Sequence, residues 1–181
     1  PELKSVNYMV PGVLSMILFL VTMLLTSMAI VKEREIGTLE QLVVTPITPL
    51  ELILGKTLPY IAIGFIDMLL VLALSTFWFR VIAGSVALLF ALSTVFIFTS
   101  LGLGLFISTI SLTQQQAMMT TFFIMLPSIL LSGFIFPIAN MPQVIQWITH
   151  LIPLRYFLVI VRGIFLKGNG IDVLWPQVAV L

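Results

Sequence analysis

Long apolar runs alternate with short polar interruptions along this chain, and one interruption stands apart. Lys32 to Lys56, KEREIGTLEQLVVTPITPLELILGK, holds seven of the fifteen Lys, Arg, Asp and Glu residues. The apolar runs on either side have the length of membrane-crossing helices. Val10 to Val31 is 22 residues long, and at about 1.5 Å per residue it covers a hydrocarbon core of roughly 30 Å with a little tilt. Further runs predict spans over about 57–79, 86–110 and 118–136. Past Pro137 the pattern changes: Asn140 and Pro142 open a helix that stops before Pro153, and a run from Leu154 to Leu166 ends at Lys167 and Gly168. Pieces of about 10 and 13 residues reach only about 15 and 20 Å, too short to cross. Residues 141–167 therefore read as a helical hairpin dipping into the outer half of the membrane and returning. A truncated last span begins at Asp172. The pattern predicts an all-α, polytopic membrane helical bundle, with 1–181 as a single transmembrane domain in the lipid bilayer.

Local signals refine the polar parts. Residues 1–9, PELKSVNYM, are polar enough to lie outside the bilayer, with Tyr8 at headgroup level and Pro11 at the entrance to the first span. Thr38 and Gln41 match a capping box and predict a short helix over 39–44, ended by Pro46, with Leu39, Leu42 and Val43 on one face. Thr48 and Glu51 repeat the box with Pro49 at the first helical position, so a second helix starts at Pro49 and runs on into the 57–79 span. That helix, 31 residues and roughly 46 Å, projects about two turns into water. Pro59 and Pro127 are predicted kinks. Ser100, Gly102, Gly104 and Ser108 form a small-residue patch suited to close helix contact. Ser111 to Gln116, SLTQQQ, is a polar loop on the same side as 32–56.

Composition agrees with a membrane protein: 60% of the 181 residues are hydrophobic and 8% charged. A net charge of +1 without a basic cluster excludes nucleic acid as a partner. Without Cys there is no disulfide framework or thiol chemistry, and one histidine, His150, leaves no metal cluster. No phosphate-cradling Gly-rich loop with its Lys is present. Residues 10–31 are too long for a signal peptide and lack a basic lead and cleavage site. A start at Pro1 and an end at Leu181 inside an apolar run read as a piece of a longer protein. Orientation from charge alone is narrow: the 32–56 side carries Lys32, Arg34 and Lys56, against Lys4, Arg80, Arg155, Arg162 and Lys167 on the other. The positive-inside rule taken alone would put the polar stretch outside.

The run KEREIGTLEQLVVTPITPLELILGK resembles the first intracellular loop of the permease subunits of type-2 ABC exporters. It shares their Glu-Arg-Glu, Gly-Thr, Glu-x-Leu and Thr-Pro succession. LSGFIFPIANMPQVIQWITHLIPLRYFLVIVRGIFLKG is similar to that family's extracytoplasmic re-entrant hairpin, and the two blocks with their spacing cover nearly the whole chain. The resemblance implies spans two to five, the hairpin and the start of span six of a permease half. It places the loop in the cytoplasm, against the charge count, with a coupling helix seated on a separate ABC ATP-binding subunit. It further implies a second permease half, as homodimer or heterodimer, in the bacterial inner membrane. The chain itself would carry no cofactor, ATP and Mg being on the partner subunit, and would be no enzyme.

On this reading Glu33, Arg34, Glu35, Gly37, Thr38, Glu40 and Gln41 contact the partner ATPase, although the same residues also suit a solvated loop that only caps helices. Asp67 lies near the middle of its span, where an ionised carboxylate is costly. It either lines a translocation path or locks helices together. His150, Arg155 and Arg162 read first as snorkelling or structural residues, and Gln114 to Gln116 as a second loop contact or a polar hinge. The expected function is export of a drug, lipid or lipid-linked glycan. The alternative is an ion-coupled secondary transporter using Asp67.

Overall fold

A computed structural model of the chain describes residues 2–37, 48–77, 86–167 and 171–181. In order, the elements are α1 (Glu2–Ser27), α2 (Ala29–Ile36), α3 (Pro49–Phe77), α4 (Val86–Ile110), α5 (Gln114–Leu131), a 3-10 turn at Ile138–Asn140, α6 (Gln143–Ile148), a 3-10 turn at Thr149–Leu151, α7 (Pro153–Lys167) and α8 (Ile171–Val178). No strand occurs among the described residues, and the chain is an all-α membrane bundle. Met9–Ile36 and Val86–Ile110 are each long and apolar enough to cross a membrane. The 29 residues of α3 reach roughly 44 Å and the 18 of α5 roughly 27 Å.

Several boundaries differ from expectation, each for a local reason. The helix at the N-terminus already begins at Glu2, so Pro11 sits inside it rather than at an entrance; the run to Val31 is divided at Met28 into α1 and α2. Pro59 lies within one uninterrupted α3. The expected 118–136 span is shifted: α5 starts at Gln114, because Thr113 caps it, and stops at Leu131, where Gly133 turns the chain at φ 84°. The expected helix over 39–44, with Thr38, Glu40 and Gln41, lies outside the described residues, as does the far end of the 57–79 span.

The central element is α1, which packs against α3, α4, α5 and α7. Phe19, Met23, Phe96, Ile97, Leu101, Phe157 and Leu158 fill the core. The rings of Phe96 and Phe157 stack with centroids 3.9 Å apart, and Phe19 leans on Phe96 at 5.9 Å. In lipid, apolar burial gives helices little reason to associate, so close approach and hydrogen bonds decide the contact. At the α1–α4 crossing, a Cβ added to Gly104 would sit 2.7 Å from the Cβ of Thr26 and 3.0 Å from the carbonyl oxygen of Met23. One turn further on, the Ser108 hydroxyl accepts from the N–H groups of Ile30 and Val31 at 3.0 and 3.1 Å. Ser100, one turn before Gly104, is also buried, while a Cβ at Gly102 would meet nothing within 4 Å. The small-residue patch thus divides into three buried residues and one exposed.

At the other end of α1 the ring of Phe134 covers Gly12, where any Cβ would overlap it. The segment that follows folds back: Gln143–Leu151 and Pro153–Phe165 meet at 83°. The corner is Ile152, at φ −98° and ψ 109°, since the ring of Pro153 pushes the preceding residue out of helical conformation. Arg155 is tied into this corner by a hydrogen bond to the Thr149 hydroxyl, and Tyr156 donates to the His150 carbonyl at 3.0 Å. The Arg162 guanidinium donates to Gly133 at 3.4 Å and lies 5.8 Å from the Phe134 ring centre.

Candidate functional site: a polar clasp where the spans emerge

Ile36 and Gly37 close α2 at the same end of the bundle where α3 begins and α4 turns into α5. Gly37 adopts φ 83° and its N–H returns to the carbonyls of Glu33 and Arg34 at 3.1 and 3.3 Å, a left-handed terminus that glycine takes without strain. Its structural task is to end α2.

The charged triplet before it binds neighbouring helices. Glu33 pairs with Lys56 of α3 at 2.8 Å. Arg34 donates through Nη1 to the carbonyls of Thr109 and Ser111 at 3.3 and 2.9 Å. Thr109 is in the last turn of α4 and Ser111 follows its last residue, at the end where carbonyls lack partners within the helix and the helix dipole favours a cation. The next residue, Glu35, does the converse. Its Oε2 accepts from the backbone N–H of Gln114 at 3.1 Å and from the Gln114 side-chain amide at 2.8 Å. Gln114 is the first residue of α5, at the end where the dipole favours an anion. Two adjacent residues of opposite charge thus match the opposite helix ends on either side of the short turn 111–113.

That turn is itself capped. Thr113, in extended conformation, accepts from the Gln116 N–H at 3.2 Å, and Gln116 accepts in return from the Leu112 N–H at 2.9 Å. Thr113 and Gln116 have the same Thr-x-x-Gln/Glu spacing that marks Thr48 and Glu51, so the signal was legible though it went unread. At Thr48 the box forms as expected: Glu51 accepts from the Thr48 N–H and hydroxyl at 2.9 and 2.7 Å, and the Glu51 N–H donates back at 3.4 Å. The donated Thr48 N–H, and then its hydroxyl, hold the Glu51 carboxyl below the usual carboxylate range.

Of the residues expected to face a partner, Glu33, Arg34 and Glu35 come together here, each with a partner inside the chain, while Gly37 terminates the helix. Thr38, Glu40 and Gln41 lie outside the described residues. Asp67 does not join them: it lies one turn from Gly64, which packs on Ile97 of α4, and its Oδ2 is buried with no hydrogen-bond partner among the described residues. Of the three glutamines, Gln114 and Gln116 serve the clasp and the cap. No group of acidic, His or Cys side chains that could hold a metal is found among the described residues.

The family profile described as "ABC-2 type transporter" matches residues 2–166. The chain is 36% identical over 176 residues to the protein named probable multidrug ABC transporter permease YbhR of Escherichia coli (strain K12), covering 97% of this chain and 48% of that protein. It is 42% identical over 174 residues to the protein of that organism named probable multidrug ABC transporter permease YbhS, covering 93% and 45%. ABC transporter G family member 20 of Dictyostelium discoideum is 26% identical over 172 residues, 94% of this chain and 24% of its own. The chain spans about half the length of these bacterial relatives.

Proposed function

The chain belongs to the ABC-2 type transporter family, and on that premise we propose that it is the membrane-spanning permease part of an ATP-driven exporter in a bacterial inner membrane. The polar end then faces the cytoplasm. A separate ABC ATP-binding subunit docks on the 38–47 segment through Thr38, Glu40 and Gln41, and ATP and Mg bind to that subunit rather than to this chain. A second permease half completes the path, with Asp67 on it. The cargo is drug-like; this rests on the printed names of the bacterial relatives, with a lipid or a lipid-linked glycan as the competing outcomes of a transport assay.

The clasp is the observation that best supports this reading. A segment that only joined two spans would have no need of flanks fixed to three helices, whereas a segment that receives force needs stiff supports on both sides. Here α2 is bonded to α3, α4 and α5, and α3 starts from a formed capping box. Closure of the ATPase subunits would then move the permease halves as packed bodies about hinges.

Copurification of the full-length protein with its ATPase, followed by ATP hydrolysis and ethidium efflux from reconstituted vesicles, tests the proposal. Charge reversal at Glu40 is expected to release the ATPase. Assembly and hydrolysis unaffected by Glu40→Lys would defeat the docking assignment, and efflux driven by a proton gradient without ATP would favour ion coupling through Asp67.

A further inference from the structure

Glu33, Arg34 and Glu35 look from sequence like a charged surface offered to a partner. In the structure all three bond to neighbouring helices of the chain, with Arg34 and Glu35 exposed at the surface of the bundle. The Arg34 guanidinium occupies the carbonyl end of α4 and the Glu35 carboxylate the N–H end of α5, a pairing that complements both dipoles and would oppose both if the residues were exchanged. Ser108 ties the start of α2 to α4 as well, so α2 is fastened at three successive levels to the end of α4, the turn after it and the start of α5.

We infer that Arg34 and Glu35 are positioning residues for coupling, which lock the α4–α5 turn to α2 so that a displacement of the 38–47 segment reaches α3, α4 and α5 as one body. This rests on the exporter reading above and adds to it which spans the force enters. It gives the two exposed residues a task inside the chain that is separate from contact with the ATPase.

The position of Gln114 allows a clean test. It is the first residue of α5, and Thr113 before it is extended, at φ −130° and ψ 154°. Proline is favoured at a first helical position, and an extended predecessor suits it. Gln114→Pro therefore removes both hydrogen bonds to Glu35 while leaving the helix intact. Gln114→Ala removes only the side-chain bond and serves as a milder variant.

Spin labels at Leu54→Cys on α3 and Met119→Cys on α5, both exposed positions, report the relative placement of these helices. They are measured by pulsed electron resonance in the full-length permease with its ATPase, labelled protein being diluted with unlabelled. With the clasp intact, the α3–α5 distance is the same without nucleotide and with ATP plus orthovanadate. In Gln114→Pro, with the ATPase still bound and hydrolysing, nucleotide shifts the distance or splits it into two populations, and Gln114→Ala gives a smaller effect. A role in folding alone would lower stability in both nucleotide states without making the distance respond to nucleotide.

A nucleotide-dependent distance in the parent, or a proline variant that behaves like the parent, overturns the inference while leaving the exporter reading standing. Failure of the parent to bind any ABC ATPase overturns that reading and the inference with it. Loss of ATPase binding in Arg34→Gln and Glu35→Gln, but not in Gln114→Pro, returns the two residues to direct contact and likewise overturns it.

Discussion

Gly102 and Gly104 offer an internally controlled measure of how tightly α1 and α4 meet. Both lie inside α4, so an alanine gains the same helix propensity at each, about 1 kcal/mol over glycine. Their surroundings differ. A Cβ at Gly102 meets nothing within 4 Å, whereas at Gly104 it meets the Cβ of Thr26 at 2.7 Å, the Met23 carbonyl oxygen at 3.0 Å and Thr26 Cγ2 at 3.2 Å. The first two of these atoms are fixed by the α1 backbone, so no rotamer change relieves the overlap and the helices must separate. Overpacking of this kind costs about 1–3 kcal/mol. The propensity gain cancels in the comparison, so Gly104→Ala should be less stable than Gly102→Ala by about 1–3 kcal/mol. Gly102→Ala itself should be no less stable than the parent. Reversible unfolding in mixed micelles with increasing dodecyl sulfate, followed by circular dichroism, reads the difference. Equal midpoints for the two alanines would refute the close crossing at Gly104.

Other parts of the fold carry their own tests. Phe157, stacked on Phe96 at 3.9 Å and 2% exposed, should cost about 3–5 kcal/mol when replaced by alanine, measured in the same unfolding assay; a loss below about 1 kcal/mol would mean that the stack does not hold α7 to α4. The Glu33–Lys56 pair is partly exposed, at 30% and 20%, so a double-mutant cycle should return a coupling of no more than about 1 kcal/mol that shrinks with added salt. Thr48→Ala should cost about 1 kcal/mol at the start of α3, seen as faster amide exchange there and not elsewhere. Because Glu51 has a lowered folded-state pKa, its contribution is complete above the ordinary carboxylate range and fades as pH falls through the lowered value. Exchange at the start of α3, corrected for intrinsic rates, should therefore quicken on acidification. Glu51→Gln should remove that dependence, and an unchanged profile in the variant would count against the cap.

Much of the architecture was legible because its signals are local. Apolar run lengths marked the membrane helices, and α4 occupies the residues expected of it. Thr48, Pro49 and Glu51 announced the start of α3 well before its apolar part, since a capping box is complete within one helical turn. Local signals also misled. Pro11 read as an entrance, yet it is carried inside α1, which already begins at Glu2. Met28, where α1 gives way to α2, has no sequence mark at all; there the N–H groups of Ile30 and Val31 find the Ser108 hydroxyl on another helix.

The opposed charges of Arg34 and Glu35 show where sequence reading stops. Their types and adjacency were plain, and from them alone a solvated or partner-facing surface was the natural inference. Their partners lie 75 to 79 positions further along the chain, beyond the reach of any periodicity, and two of them are backbone carbonyls that carry no residue identity. The sequence by itself determined the membrane class, the main apolar helices and the capping of α3, because hydrophobic length and hydrogen bonds within a turn are written in neighbouring residues. Tertiary structure decided which small residues are buried where α1 and α4 meet, and that Arg34 and Glu35 bond to the ends of other helices while Glu33 pairs with Lys56. Both depend on how closely remote segments approach, and only packing sets that distance.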